Sequence, residues 1–208
     1  VKNPGGHSSL PVPENAIYRL AAGLVRLAAH RFPVRLNEVT RAFFGRTALA
    51  LGGAEGAAMK AILSDPPDPA AVEALARQPY FNSLMRTTCV ATQLAGGHAE
   101  NALPQMARAV VNCRMLPDEP AGAVQQAIVN VLADPQIEVT SMAPPRPSPA
   151  SPLTPAVLGP VERLAASMWP GVPVVPVMST GATDALYLRS AGIPVYGIDG
   201  MFVDLDDV

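Results

Sequence analysis

Met106-Ala-Arg-Ala-Val-Val-Asn-Cys-Arg-Met-Leu116 alternates apolar and polar side chains with a period of two residues. This period places successive side chains on opposite faces of an extended chain. The stretch therefore predicts a β-strand with one face on a hydrophobic core and the other in solvent. Its polar face carries Arg108, Asn112 and Arg114, and its apolar face carries Ala107, Ala109, Val111, Cys113 and Met115.

A second predicted strand precedes this one. Arg86 to Leu94 is rich in threonine and valine, which favour strands. The connection from Gly96 to Pro104 begins with two adjacent glycines and has the composition of a hairpin loop. We therefore expect the two strands to be antiparallel neighbours.

Two amphipathic segments flank this hairpin in the sequence. Ala16 to Ala29 has apolar residues at helical intervals, and Pro33 follows its end. Ala121 to Ala133 shows the same spacing and predicts a second helix. Ile137 to Met142 predicts a further short strand.

The order of these elements indicates the fold class. If residues 1–3 end an earlier strand, the order is βαββαβ, a four-stranded antiparallel sheet with two helices on one face. Residues 38–80 interrupt this order with alanine-rich helical pieces, and Asp68-Pro69 predicts the start of one helix. The predicted fold is therefore α+β, a ferredoxin-like domain with a helical insert.

A proline- and serine-rich tract at 143–155 predicts an extended linker. A helix to about Trp169 is expected beyond it. Val174 to Met178 and Ile193 to Ile198 are continuously apolar, as buried parallel strands are. The predicted division is a domain at 1–142, a linker at 143–155 and an incomplete α/β segment at 156–208.

The composition excludes several classes of partner. The 208 residues are 49% hydrophobic with a net charge of −2, and no basic block favours nucleic acid. No apolar run is long enough to predict a membrane span. Cys89 and Cys113 lie on the two hairpin strands, so a disulfide is conceivable, but an uncertain register favours two free, mostly buried thiols.

Three motifs occur in a fixed order: Gly5-Gly-His-Ser-Ser-Leu-Pro11, then Asn101-Ala-Leu-Pro104 with Asn112-Cys-Arg114, then Gly181-Ala-Thr-Asp-Ala185. With them the chain resembles the di-zinc aminoacylase/carboxypeptidase family (metallopeptidase family twenty). The resemblance implies a βαββαβ lid that dimerises and interrupts an α/β zinc domain. Residues 1–142 correspond to the lid and 156–208 to part of the returning catalytic domain.

His7 is the candidate catalytic residue. It follows two glycines, so it can move towards an amide's tetrahedral oxyanion and donate a hydrogen bond to it. The alternative is a residue that precedes a helix, beside capping serines. The resemblance implies that this histidine stabilises the oxyanion in the partner subunit's active site.

The other candidates bind substrate. The planar guanidinium of Arg114 can form two parallel hydrogen bonds with a carboxylate. The alternative is an ordinary strand arginine that contacts only solvent. Asn101 lies 13 positions before Arg114. The resemblance implies that an asparagine and an arginine with this separation bind the substrate. Gly181 and Thr183 lie in a turn after a predicted strand, where α/β sheets bind ligands, although an ordinary turn has the same composition.

The resemblance also implies two zinc ions in the full-length protein. The family holds them with a His-x-Asp, a bridging Asp, a Glu-Glu pair and a late His, none of which is recognisable here. We expect these ligands before Val1 and after Val208. The 208-residue piece is therefore expected to bind no catalytic zinc and to hydrolyse nothing alone.

The predicted function is that of a zinc-dependent peptidase or amidohydrolase acting as a homodimer. Its expected substrate is a small peptide or N-acyl amino acid with a free carboxylate. The alternative is a non-catalytic dimerisation or ligand-binding module. A third interpretation is a free-standing regulatory domain that binds amino acids. The apolar segments after the linker argue against it.

Overall fold

The computed structural model of the protein describes residues 1–146 and 148–199. Helices and short antiparallel strands share this part of the chain, so the predicted α+β class is confirmed. The elements are β1 (Gly6–His7), α1 (Ala16–Ala29), α2 (Glu38–Leu51), α3 (Gly53–Ala61), α4 (Pro69–Ala76), α5 (Pro79–Met85), β2 (Thr88–Gly96), β3 (Ala102–Leu103), β4 (Ala107–Arg114), α6 (Ala121–Leu132), α7 (Pro155–Met168) and α8 (Ala185–Ser190).

The predicted hairpin forms between β2 and β4, which pair antiparallel with an irregularity between Ala91 and Gln93. Residues 1–3 lie beside the N-terminal end of β4, on the side opposite β2. The backbones of Val1 and Ala107 exchange two hydrogen bonds of 3.0 Å. The start of the chain is thus an additional strand-like segment, and β2 is left at an edge of the described sheet.

The helices α1 and α6 cover one face of this hairpin. Asn15 caps α1 by accepting hydrogen bonds from the backbone N–H groups of Ile17 and Tyr18. The helix begins and ends where the sequence predicts, because its apolar spacing and its cap agree. The shared core contains Leu27, Phe32, Val124, Ile128, Leu132 and Ile137, with Cys89, Val111 and Cys113 packed against it.

The predicted helical insert consists of four helices, α2 to α5, with a core of its own. Asn37 and Thr40 form a reciprocal capping box at the start of α2, and Asp68 caps α4 as predicted. The insert runs to Met85, beyond the predicted limit of residue 80. Its buried residues include Phe43, Phe44, Met59, Ile62, Phe81, Leu84 and Met85.

Three predicted strands are wrong. Residues 137–142 are extended without strand pairing, and the carbonyl of Val139 accepts a hydrogen bond from the Gln125 side chain. The four-stranded ferredoxin-like order is therefore not confirmed. Within residues 1–146 and 148–199, the segments 174–178 and 193–198 also have no strand partner. The Val174 carbonyl accepts from Arg46, and the Val195 backbone bonds to Ser151 Oγ.

The prediction of two free thiols is also wrong. Cys89 and Cys113 are directly opposite each other in the hairpin register. They form a disulfide, with their Cα atoms 4.1 Å apart. The bond lies on the face of the hairpin that packs against α1 and α6.

Among the helices of the described ranges, none has the length and apolar character required to cross a bilayer.

Asp134 joins the two helices that cover the hairpin. It follows α6, accepts a hydrogen bond from the backbone N–H of Gln136 at 2.9 Å, and pairs with Arg19 of α1 at 2.7 Å. The Gln136 N–H and then Arg19 lower the pKa of Asp134 below its usual 3.8. Because folding favours the ionised carboxylate, this stabilisation is present above the usual pKa and is lost as pH falls below it.

We predict that Asp134→Asn lowers the urea midpoint of unfolding near neutral pH, because the ion pair with Arg19 is lost. The difference from the wild type should narrow at an acidic pH below the lowered pKa of Asp134, where the wild-type carboxylate is protonated. Urea titrations followed by circular dichroism at both pH values test this. Asp65→Asn, at an exposed position, is the control, and a difference of equal size at both pH values would contradict the assignment.

Candidate functional site

His7 and Asn101 lie beside each other at one end of the lid. His7 in β1 pairs with Ala102 in β3, and Gly6 pairs with Leu103. The backbone N–H of Ser8 donates a hydrogen bond of 2.9 Å to the carbonyl of Asn101. The short β1–β3 ribbon thus places His7 in one strand and Asn101 directly before the other.

The two glycines before His7 have backbone angles that other residues rarely adopt. Gly5 has φ +83° and Gly6 has φ +151°. A Cβ on Gly5 would also lie 2.7 Å from the Cγ atom of Gln105. Glycine at both positions is therefore what allows the chain to turn His7 onto the ribbon.

The His7 ring has a defined proton position. The backbone N–H of Ser9 donates to Nδ1 at 3.2 Å, so Nδ1 is an acceptor. The Ser9 hydroxyl lies 2.7 Å from the same nitrogen. In the neutral ring the proton is then on Nε2, because only one nitrogen of a neutral imidazole carries a proton. Since His7 is exposed, its Nε2–H is a donor at the surface of the lid.

An open cleft of about 630 Å³ borders the ribbon. Ser8, Tyr18 and Ala102 contribute to its walls. His98 and Glu100, which follow Gly96-Gly97 in the hairpin loop, line it as well. Neither residue is among the candidates predicted from the sequence. Their position just before Asn101 was the signal that could have included them.

Arg114 lies at the other end of the lid. It is exposed in β4 and pairs with Thr88. It stands seven positions after Ala107, so at about 3.3 Å per residue it is about 23 Å from the end that carries His7. Within one chain, Arg114 and His7 therefore cannot contact the same small substrate.

Gly181 and Thr183 lie in an exposed turn before α8. The Gly181 backbone bonds to Ser179 Oγ at 3.3 Å, and the Thr183 carbonyl accepts from Leu186 at 3.1 Å. Met178, directly before this turn, packs on the core of the helical insert. Across the described ranges, no hydrogen bond joins the turn to His7 or Asn101.

The residues described by the structure do not suit a zinc site. Within 1–146 and 148–199, no group of three or more His, Cys, Asp or Glu side chains could hold a metal ion. The His7 ribbon instead supplies a hydrogen-bond donor and an amide side chain.

A family model described as "peptidase dimerisation domain" matches residues 1–140. The chain therefore belongs to the peptidase dimerisation domain family, and its resemblance to the metallopeptidases of family twenty is confirmed.

Characterised relatives are larger proteins. The chain is 28% identical over 213 residues to the human N-fatty-acyl-amino acid synthase/hydrolase PM20D1, covering 100% of the chain and 42% of that protein. It is 26% identical over 183 residues to the probable carboxypeptidase S-like 2 of Dictyostelium discoideum, covering 86% and 34%. The chain thus spans less than half the length of these curated relatives. No solved structure matches it.

We predict that neutral His7 is the Nε2–H tautomer, because Ser9 occupies Nδ1 as a donor. The ¹⁵N chemical shifts of the ring nitrogens, measured by long-range ¹H–¹⁵N correlation at a pH above the histidine pKa, test this. Ser9→Ala keeps the backbone donor and should keep the same tautomer. A majority Nδ1–H ring in the wild type would refute the assignment.

Proposed function

We propose that this chain is the dimerising and substrate-binding part of a zinc-dependent peptidase or amidohydrolase. The proposed substrate is a small peptide or N-acyl amino acid with a free carboxylate. The observation that carries the proposal is the β1–β3 ribbon, which presents the Nε2–H of His7 beside Asn101 in a peptidase dimerisation domain. The relatives named as hydrolases support the same reaction class.

His7 acts in this proposal as a neutral hydrogen-bond donor. Attack on an amide carbonyl places negative charge on its oxygen, and a positioned donor lowers the energy of that state. Such a donor typically contributes about 10²–10³ in rate. Because Ser9 fixes the proton on Nε2, the ring donates without first being protonated.

Asn101 and Arg114 bind the substrate. The side-chain amide of Asn101, which lies beside His7 on the ribbon, forms a hydrogen bond with the substrate amide or with the edge of the neighbouring carboxylate. Arg114 binds the free carboxylate through its planar guanidinium. Gly181 and Thr183 remain proposed contacts from the returning segment, where a backbone N–H and a hydroxyl face the substrate.

A homodimer follows from the distance between these groups. One substrate reaches both His7 and Arg114 only if two protomers each contribute one of them. The lid also exposes large apolar side chains that suit an interface between copies, among them Tyr18, Val25 and Leu94. We propose that the lid forms this interface.

The proposed division keeps residues 1–142 as the lid, 143–155 as the linker and 156–208 as part of the catalytic domain. Two zinc ions belong to the proposal for the full-length protein. The described residues do not provide their ligand set, so no metal step is derived from them. The 208-residue piece alone is proposed to bind substrate without hydrolysing it.

In the full-length protein we expect His7→Ala to lower kcat at least tenfold, because the oxyanion loses a donor. Arg114→Gln should mainly raise KM, by about tenfold, because a charged contact to the ground-state carboxylate is lost. Arg108→Gln removes an arginine from the same face of β4 and is the matched control. Steady-state kinetics with an N-acyl amino acid measure these effects. If kcat and KM are unchanged in all three variants, the result would favour a non-catalytic binding module.

We predict that the impaired His7→Ala and Arg114→Gln chains complement each other. If one site combines His7 of one protomer with Arg114 of the other, a mixed dimer holds one intact site. The mixed dimer should then have about half of wild-type activity under two-fold symmetry. Co-expression with two affinity tags and assay of the doubly tagged dimer measure the recovery. No recovery in a folded mixed dimer would contradict the proposal that one site combines these two residues.

A further inference from the structure

Arg114 is the last residue of β4, and its side chain is exposed. Within residues 1–146 and 148–199, no ion pair involves its guanidinium. A long exposed side chain loses rotamer freedom when it binds a ligand, and a mobile backbone adds to that cost. The contacts that fix the backbone on either side of Arg114 therefore affect how tightly it can bind a carboxylate.

A covalent link lies directly before Arg114. Cys113 is bonded to Cys89 on the opposite strand, with their Cα atoms 4.1 Å apart. The next pair along the hairpin is Arg114 with Thr88. The disulfide thus ties β4 to β2 one residue away from the position that carries the guanidinium, at a strand end, where pairing is otherwise easily lost.

A hydrogen-bonded link lies two residues after Arg114. The backbone N–H of Leu116 donates to Oγ1 of Thr87 at 3.2 Å, and the Thr87 hydroxyl donates to the Glu119 carboxylate. Thr87 is only 2% exposed, so water competes little with these bonds. Arg114 therefore lies between two links to the start of β2, one of which is a disulfide that reduction can break.

The surroundings of the disulfide leave room for a small reductant. Both cysteines are half-buried and not enclosed. A cavity of about 430 Å³ borders this end of the hairpin, and its lining includes Thr88 and Cys89. Reduction adds two electrons and two protons to the bond and leaves two thiols. The link directly before Arg114 is then lost, whereas the link through Thr87 remains.

We propose that the Cys89–Cys113 disulfide positions Arg114 for carboxylate binding and that its reduction by a small dithiol weakens this binding. One thiolate of the dithiol attacks a cysteine sulfur and displaces the other cysteine as a thiolate. The second thiol of the reagent then releases the first cysteine. The reagent becomes a cyclic disulfide, and its two protons pass to the cysteines. The proposal rests on the proposed role of Arg114 and adds a regulation of the same site.

Steady-state kinetics of the full-length protein with an N-acyl amino acid, before and after reduction, test the proposal. A water-soluble phosphine reduces the bond and is removed by gel filtration before the assay, because a thiol reagent would also bind zinc. Reduction should raise KM about threefold or more and leave kcat unchanged, because Arg114 contacts the ground-state carboxylate. The double variant Cys89→Ser/Cys113→Ser should show the same raised KM and no response to the phosphine.

The effect must act through Arg114. In an Arg114→Gln background, opening the disulfide should change KM by less than about 1.5-fold, because the contact that it positions is already absent. In the matched Arg108→Gln background the full effect should remain. An equal rise of KM in both backgrounds would overturn the proposal, and so would a KM that responds neither to reduction nor to the double substitution.

A second double variant, Cys89→Val/Cys113→Val, covers the case in which the serine variant does not fold. Both cysteines pack against the core beneath α1 and α6, and valine is apolar and favours strands. This variant removes the covalent link and keeps an apolar pair, so it should raise KM in the same way while circular dichroism stays unchanged.

Amide hydrogen exchange separates this proposal from the proposed function, because it does not depend on turnover. Reduction should accelerate exchange in residues 110–116 and leave α6 unchanged. Unchanged exchange in residues 110–116 would overturn the positioning role whatever the kinetics show. If Arg114→Gln raises KM but reduction does not, this proposal fails and the proposed function stands. If Arg114→Gln leaves KM unchanged, the proposed role of Arg114 fails, and the regulation of carboxylate binding fails with it.

Discussion

The antiparallel pairing of residues 1–7 with residues 102–107 holds the functional end of the lid together. The reciprocal backbone bonds of Val1 and Ala107 begin this pairing, and the β1–β3 ribbon continues it. These contacts join parts of the chain that are about a hundred residues apart in sequence. The position of His7 relative to Asn101, and of both relative to the hairpin, depends on them. A lid without this pairing would keep its helices and lose the arrangement of its donors.

Local signals were sufficient for the elements that bury one face. The bounds of α1 follow from its apolar spacing and its asparagine cap, and β4 follows from strict alternation. The segments at 174–178 and 193–198 show what local signals lack, because an apolar run does not specify a pairing partner. The disulfide is a related case. Whether Cys89 meets Cys113 depends on a register of one residue, which side-chain composition does not determine.

The candidate site was predictable in its parts and not in its arrangement. The order of motifs indicated His7, Asn101 and Arg114, but a separation of 13 residues does not show that β4 runs away from the ribbon. Arg86 illustrates a different limit. Its sequence neighbourhood predicts a strand start, and only the packing of α1 and α5 around it shows a buried guanidinium with a free Nε. Two arginines of one hairpin therefore have opposite environments, one solvated and one enclosed.

The returning segment is attached to the helical insert by specific contacts. Arg46 of α2 bonds both the Glu162 carboxylate in α7 and the carbonyl of Val174, each at 2.7 Å. Val175 and Met178 pack on the insert core nearby. Docking, and not the length of the proline-rich tract, thus sets where this segment sits. The tract itself takes part in this docking, because Ser148 Oγ accepts hydrogen bonds from Arg189 and Ser151 Oγ bonds to the backbone of Val195. Insertions or deletions in the tract would therefore cost these contacts as well as a small change in loop-closure entropy, so its serines are constrained together with the docked surfaces.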